Sequence, residues 1–376
     1  DVAMTWVLDE QRRMLRDSAQ SFLSDRAPVA HLRALRDAND PAGHSAQLWR
    51  GFGEQGYSAT LVPEALGGLG LGVTEVALIA EQIGHTLAPT PFFSTAVLAA
   101  WLLKTAGSPE QQKAWLPRIA AADVVMALAA DEHSRHRPAL LNTTAARDGG
   151  GWRIDGQKLF VVDGHVADAL IVAARADGGT ALLLVPKNTP GLKIERTVMV
   201  DSHNAARARF DAVRVSSDAL IGSVETGARL LEGTLDVGRA VAAVELLGLA
   251  DEVFERTVEY LKQRKQFDRL IGEFQALQHR CAELFCDLEL ARAIVRQALK
   301  ALDDADADAP LRVAQAKARA SLSANRAVQE AVQMHGGIGM TDELEIGLFM
   351  KRARVLQELF GDAAFQMDRA ALLNGY

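Results

Sequence analysis

The chain has little cysteine, no long apolar run and no surplus of positive charge. Among 376 residues there are two cysteines, Cys281 and Cys286. Two cannot build the disulfide framework of a small secreted domain. They lie in a helical stretch at a spacing that puts them on different faces, poorly placed to bridge each other. Small packing residues in a reducing compartment are expected, and with them a cytoplasmic location. No apolar run approaches about 20 residues, so no membrane-spanning helix is expected. The opening stretch Asp1–Trp6 shows neither the charged nor the apolar region of a secretory signal. Lys and Arg number 41 against 48 Asp and Glu, a net charge of −7. That balance offers little to a phosphate backbone, so nucleic acid is not an expected partner. The 9 histidines show no His-Glu-x-x-His or comparable spacing, and no metal is implied.

What is present has a clear order. The length predicts two or three domains. Residues 1–121 carry helical spacing: Leu8, Met14, Leu15, Ala19 and Phe22 make one apolar stripe. Thr74, after a glycine-rich loop, is placed to cap a helix running to about Gly84. Residues 122–225 turn to short strands. "ALIVAAR" (169–175) and "ALLLVP" (181–186) are apolar runs bounded by turn residues. "GGGWRIDGQKLFVVDG" (149–164) reads as strand, Asp-Gly turn, strand. Several such strands predict a β-barrel or sandwich. Residues 226–376 are helical again. Leu277, Cys281, Leu284, Leu288, Ala291, Val295 and Ala298 step by three or four through 273–303. That predicts a helix of roughly 45 Å, which needs partners of like length, as in a four-helix bundle. "DDADADAP" (303–310) predicts the turn to the next helix, with Pro310 in its first turn. The fold class is thus mainly α with an inserted β domain.

Three stretches carry chemistry. The glycines of "VPEALGGLGLG" (62–72) do not fit the dinucleotide fingerprint G-x-G-x-x-G and read as a tight loop. In "YLKQRKQFDRLIGEFQALQH" (260–279), Arg264, Gln266 and Phe267 fall where one long helix ends. An Arg there can grip a pyrophosphate through paired N–H groups, or cap its own helix. In "QMHGGIGMTDELEI" (333–346), Gly336 and Gly337 break a helix. Such a turn can admit a ligand to the backbone, or serve as a plain connector.

Together, in this order, these stretches resemble the acyl-CoA dehydrogenase family of flavoproteins, in particular its bacterial heteromeric, steroid-type members. The resemblance runs over essentially the whole chain. It includes "DGQKLFVVDG", "FDAVRV" and the "LFGD" ending. It implies an N-terminal helical domain, a middle β domain and a C-terminal bundle, in tetramers whose FAD is held partly by a neighbouring subunit. It assigns Arg264, Gln266 and Phe267 to the FAD diphosphate and adenine region, and Gln333, Gly336 and Gly337 to the adenosine side. Glu343 also falls on the pattern. Phe160, Val161 and Val162 match the strand that passes the isoalloxazine, and Asp236 and Arg239 a substrate-side helix motif. The implied reaction is α,β-dehydrogenation of an acyl-CoA, with a carboxylate taking the α proton and FAD the β hydride. Electron-transfer flavoprotein or a similar acceptor is the implied electron partner.

The pattern fails in places. Phe360 stands at the family's C-terminal base position and Gly238 at its other one. Two acids remain as substitutes, Asp362 and Glu245; alternatively, Asp362 caps the last helix and Glu245 pairs with an Arg. "LAADEHSRHRP" (128–138) replaces the family's Thr-Glu-Pro and Gly-Ser pattern. Val162 stands for a Thr, and Asp268 for the Gly after Phe267. Two functions follow: an acyl-CoA dehydrogenase with an unusual base in a homotetramer, or a non-catalytic subunit that completes the FAD site of a heterotetramer.

Overall fold

The structure is a computed structural model, and it describes residues 8–376. The stretch Asp1–Trp6 lies outside the described residues. Helices α1 (Glu10–Arg26), α2 (Val29–Asp37), α3 (Ala46–Glu54), α4 (Val73–Thr86), α5 (Ala100–Ala106) and α6 (Pro109–Ala120) come first. Strands β1 (Met126–Ala129), β2 (Thr144–Asp148), β3 (Gly151–Val162), β4 (Ala169–Ala176), β5 (Gly179–Pro186), β6 (Leu192–Val198) and β7 (Asn204–Val215) follow. The chain then returns to helix with α7 (Val224–Gln263). A small hairpin, β8 (Lys265–Gln266) and β9 (Arg269–Leu270), leads to α8 (Gln275–Asp303), α9 (Ala309–His335), α10 (Ile346–Glu358) and α11 (Ala363–Leu373). Among the described residues no helix is long and apolar enough to cross a membrane.

Local chemistry sets many of the ends. Asp9 caps α1 by accepting from Arg12 N at 2.8 Å. Ser108 and Gln111 form a reciprocal capping box on α6, with Pro109 in its first turn. Thr74 lies inside α4 rather than before it. Gly72 N–H is instead taken by Glu75 Oε2 at 2.9 Å, so the acid in the first turn serves as the start signal. Pro310 opens α9 as its missing N–H predicts.

Contacts divide the chain into two compact units. One holds Ala34–Val76 and Pro89–Gly238; the other holds the described part of Asp1–Arg33, Ala77–Ala88 and Arg239–Tyr376. The first contains a seven-stranded sheet of order β1-β4-β2-β3-β7-β6, with β5 on the other side of β4. Strand β4 is the hub. Its first half pairs in parallel with β1, its end with β2, and its whole length with β5. Its continuous apolar run, Ala169 to Ala174, is buried on both faces.

The expected Asp155-Gly156 turn is absent. β3 is one 12-residue strand, and its register to β7 slips between Ile154 and Gly156 and again between Lys158 and Val161. Asp155-Gly156 is a bulge. Gly156 has φ +143°, and a Cβ there would sit 2.7 Å from Thr143 Cα. A glycine inside a strand often marks such a close approach as well as a turn, and the dipeptide alone cannot separate the two.

In the second unit α8 and α9 form a long hairpin. α8 buries Leu284, Leu288, Ala291, Val295 and Ala298, five members of the expected stripe. Burial of each large aliphatic side chain is worth about 1.5–3 kcal/mol. The cysteines depart from expectation: Cys286 is exposed, and Cys281 is half-buried beside Met334. α4 crosses α7 at a pair of glycines. A Cβ on Gly84 would lie 2.3 Å from Glu245 O, and one on Gly248 2.1 Å from Glu81 O.

Candidate functional site

Arg264 follows directly on α7, and its N–H returns to Tyr260 O at 2.9 Å. The hairpin β8–β9 then turns through Phe267 (φ +55°) and Asp268 (φ +62°). Both are left-handed, the region a type I′ turn demands and glycine prefers. A bulky residue held there costs about 1–2 kcal/mol. Phe267 is 85 % exposed, its ring edge-on to Phe274. Arg264 and Gln266 are exposed as well. No side-chain hydrogen bond or ion pair holds Arg264 among the described residues, so its guanidinium is available to an anion.

The glycine turn lies beside it. Gln333 is exposed on the last turn of α9, and its carbonyl accepts from Gly336 N–H. Gly336 has φ +66°, and a Cβ on Gly336 or Gly337 would meet nothing within 4 Å. This is open backbone. Tyr260 joins the two segments: its ring stacks on His335 with centroids 4.4 Å apart, and its OH reaches His335 O at 3.4 Å. Glu343 is exposed in the stretch that leads to α10.

The loop between α10 and α11 is held from within the helices. Phe360 (φ +57°) and Gly361 (φ +104°) are both left-handed. Phe360 O accepts from Arg239 Nε at 3.0 Å and from Gln366 Nε2 at 2.8 Å. Lys317 Nζ donates to Gln357 O at 3.0 Å and reaches Gly361 O at 3.4 Å. Arg239 and Lys317 are both fully buried. Burial, and then the Arg239 charge, bring the Lys317 pKa down to about 7. Phe360 is only 5 % exposed and can take no proton.

Both substitute acids are already bonded. Glu245 is 2 % exposed, and its Oε1 accepts from Arg352 Nε at 2.8 Å and Nη2 at 2.7 Å. Asp362 accepts from Phe365 N–H at 2.8 Å and caps α11. Asp236, on the same helix as Gly238 and Arg239, is 4 % exposed.

In the sheet-bearing unit, Phe160 sits on the β3 bulge with φ +52° and is 43 % exposed. Val161 is buried, and Val162 pairs with Ala205. Glu132 and Lys158 form a buried ion pair at 2.6 Å. Burial opposes the charge on Glu132. Lys158 and the N–H groups of Asn142 and Thr143 nonetheless hold its carboxylate below the ordinary range. Asp131 is held by His136 at 2.7 Å. The acids after β1 thus fix their own loop, and Val162 brings no hydroxyl to the neighbouring strand.

The chain matches known proteins along nearly its whole length. Three family models describe the chain: acyl-CoA dehydrogenase N-terminal domain over residues 9–123, middle domain over 125–213 and C-terminal domain over 225–371. The chain belongs to the acyl-CoA dehydrogenase family. That family comprises FAD-dependent oxidoreductases. Cyclohex-1-ene-1-carbonyl-CoA dehydrogenase of Geobacter metallireducens is 33% identical over 318 residues, 81% of this chain and 83% of that protein. Acyl-CoA dehydrogenase FadE12 of Mycobacterium tuberculosis is 29% identical over 370 residues, covering 93% and 92%. Among solved structures, the ChsE4-ChsE5 complex from Mycobacterium tuberculosis aligns with a TM-score of 0.91 at 27% identity, covering 99% of each chain. A variant of the Tcur3481-Tcur3483 steroid ACAD aligns at 0.90 and 31%, covering 97% of this chain and 98% of that one.

Sequence reasoning missed several residues of this member of the acyl-CoA dehydrogenase family. Lys317 carried a signal: it interrupts a stripe of small residues, Val313, Ala314, Ala320 and Ala324. A lysine on a buried face has to find acceptors. Tyr260, His335 and the Glu132–Lys158 pair gave none, because their partners are remote in sequence.

Proposed function

We propose that this chain is the non-catalytic partner subunit of a heteromeric acyl-CoA dehydrogenase. It supplies the dinucleotide end of a FAD site, and a second family member carries the base. One observation carries this reading. Phe360 and Gly238 stand at the two base positions, and the two candidate substitutes, Glu245 and Asp362, are fixed by Arg352 and by the α11 N-terminus. A general base needs a carboxylate within reach of the proton it removes.

The fit to FAD differs between the two ends. Arg264, Gln266, Phe267, Gln333, Gly336 and Gly337 form an exposed corner with a free guanidinium and open backbone, suited to a pyrophosphate and an adenine. Phe160 and Val162 offer the isoalloxazine apolar contact only. Asp131 and Glu132 are engaged elsewhere. FAD, where bound, takes the β hydrogen of the acyl group as hydride. This chain's residues bind and orient the cofactor at its diphosphate. Arg239, buried on α7, holds the base loop of its own subunit through Phe360 O.

The two-chain names of the ChsE4-ChsE5 and Tcur3481-Tcur3483 neighbours support a heterotetramer. The second name also supports a steroid-derived acyl-CoA as substrate. Electron-transfer flavoprotein or a similar carrier is the acceptor in this reading, and the two unbridged cysteines favour the cytoplasm.

The test is acyl-CoA-dependent bleaching of the flavin band. The chain purified alone does not bleach, and the chain co-purified with its partner does. Asp362→Ala in this chain leaves the rate of the complex within a few-fold, whereas a true base would show a loss of about 10²–10⁴. Bleaching by the chain alone, abolished by Asp362→Ala or Glu245→Gln, contradicts the proposal.

A further inference from the structure

The glycine turn is tied to the helical unit by a line of alternating charges that the reading above does not use. His85 on α4 lies 3.2 Å from Glu252 Oε2 on α7. The other oxygen of Glu252 accepts from Arg256 Nε at 2.6 Å. Arg256 Nη1 continues to Glu345, the residue that opens α10 directly after the turn. The Arg256 guanidinium also lies over the Phe349 ring at 5.2 Å. A second tie, Arg33 Nη1 to Asp342 Oδ2 at 2.9 Å and to its carbonyl at 2.8 Å, holds the middle of the same stretch. The turn has few contacts of its own, since Ile338 and Met340 are 38 % and 77 % exposed. These struts hold its far side, as the Tyr260–His335 contact holds its start.

We propose that Arg256 and His85 are positioning residues: the line His85–Glu252–Arg256–Glu345 fixes the Gly336–Glu345 stretch in the form that receives the dinucleotide. This rests on the reading that the turn binds the adenosine side of FAD. The chemistry is electrostatic. Protonated His85 and Arg256 share Glu252, so loss of the His85 proton leaves Glu252 with one cationic partner and weakens the line at its root.

The surroundings decide the direction of the pH effect. Glu81 on α4 and Asp251 and Glu252 on α7 face His85, and Arg292 and Arg296 on α8 face Glu81 and Asp251. Burial works against the charge on His85, but the three acids together raise its pKa above the ordinary value. A group whose pKa is raised on folding stabilises most below its unfolded value, about 6.5, and that contribution is lost as pH rises through the folded value. His335, the last residue of α9, is shifted the other way by burial.

The test uses the complex of this chain with its partner and two readouts. Hydrogen exchange of the 336–345 amides reports the strut; FAD affinity by fluorescence quenching reports its use. Arg256→Gln is expected to speed exchange in that stretch and weaken FAD about tenfold, the effect of one lost charge-assisted hydrogen bond. The wild type is expected to lose FAD affinity as pH rises above 6.5, and His85→Gln to flatten that decline. Should Arg256→Gln fail to fold by circular dichroism, Glu345→Gln breaks the same line at its outer end. Wild-type exchange rates in all three variants would overturn the inference. Faster exchange with unchanged FAD affinity would keep the strut and remove the dinucleotide from the turn.

Discussion

At the scale of single residues, the buried charges decide what the chain can do. Glu245 looked in sequence like a spare base; in the structure it is the partner of Arg352. Removing one member of such a buried pair leaves the other uncompensated and costs about 3–5 kcal/mol, while replacing both with apolar residues is often close to neutral. Glu245→Gln is therefore expected to lower stability to urea by that order, and Glu245→Leu with Arg352→Met to recover most of it. A single variant as stable as wild type would mean that the pair is not formed. Lys317 gives a second expectation. Its folded pKa is about 7, and the unfolded value is about 10.4. Between these pH values the unfolded chain binds more protons than the folded one, so stability rises with pH across the window. Lys317→Met is expected to lack this component, seen as a flatter plot of unfolding free energy against pH from 7 to 10. The lysine is legible as an anomaly in a stripe of alanines; the backbone carbonyls that receive it are not, because they belong to the end of α10 and the loop after it, 40 and 44 residues away.

At the scale of elements, helices were easier to read than joints. The stripe on α8 and the proline start of α9 were legible because apolar periodicity and a missing N–H act locally. The Asp155-Gly156 bulge was not, since only the neighbouring Thr143 shows why a side chain has no room there. The crossing of α4 and α7 is likewise invisible in sequence: nothing local to Gly84 or Gly248 shows the carbonyls that face them. Gly248→Ala places a methyl group 2.1 Å from Glu81 O. The helices have to separate, with a cost of about 1–3 kcal/mol. A lowered melting temperature with unchanged helix content by circular dichroism is the expected result; a neutral or stabilising effect would show that the crossing is looser than described.

At the scale of the whole molecule, the order of helical, β and helical segments together with the motifs at 260–279 and 333–346 placed the chain in its family, and three family models follow that order. The exposed corner was legible too, because Arg264, Gln266 and the Gly336-Gly337 break lie in continuous motifs; that it binds a dinucleotide is our proposal. The fate of the carboxylates was not. A carboxylate's role depends on what faces it, and Arg352 lies 107 positions from Glu245. The division of labour between subunits rests on this contrast between an open diphosphate corner and bonded acids. Flavin stoichiometry tests it most directly. The chain purified alone and then with its co-expressed partner is weighed against its bound FAD by absorbance after denaturation. The account predicts little or no FAD on the chain alone and about one FAD for each pair of unlike subunits in the complex; one FAD per chain in a homotetramer that oxidises acyl-CoA would contradict it.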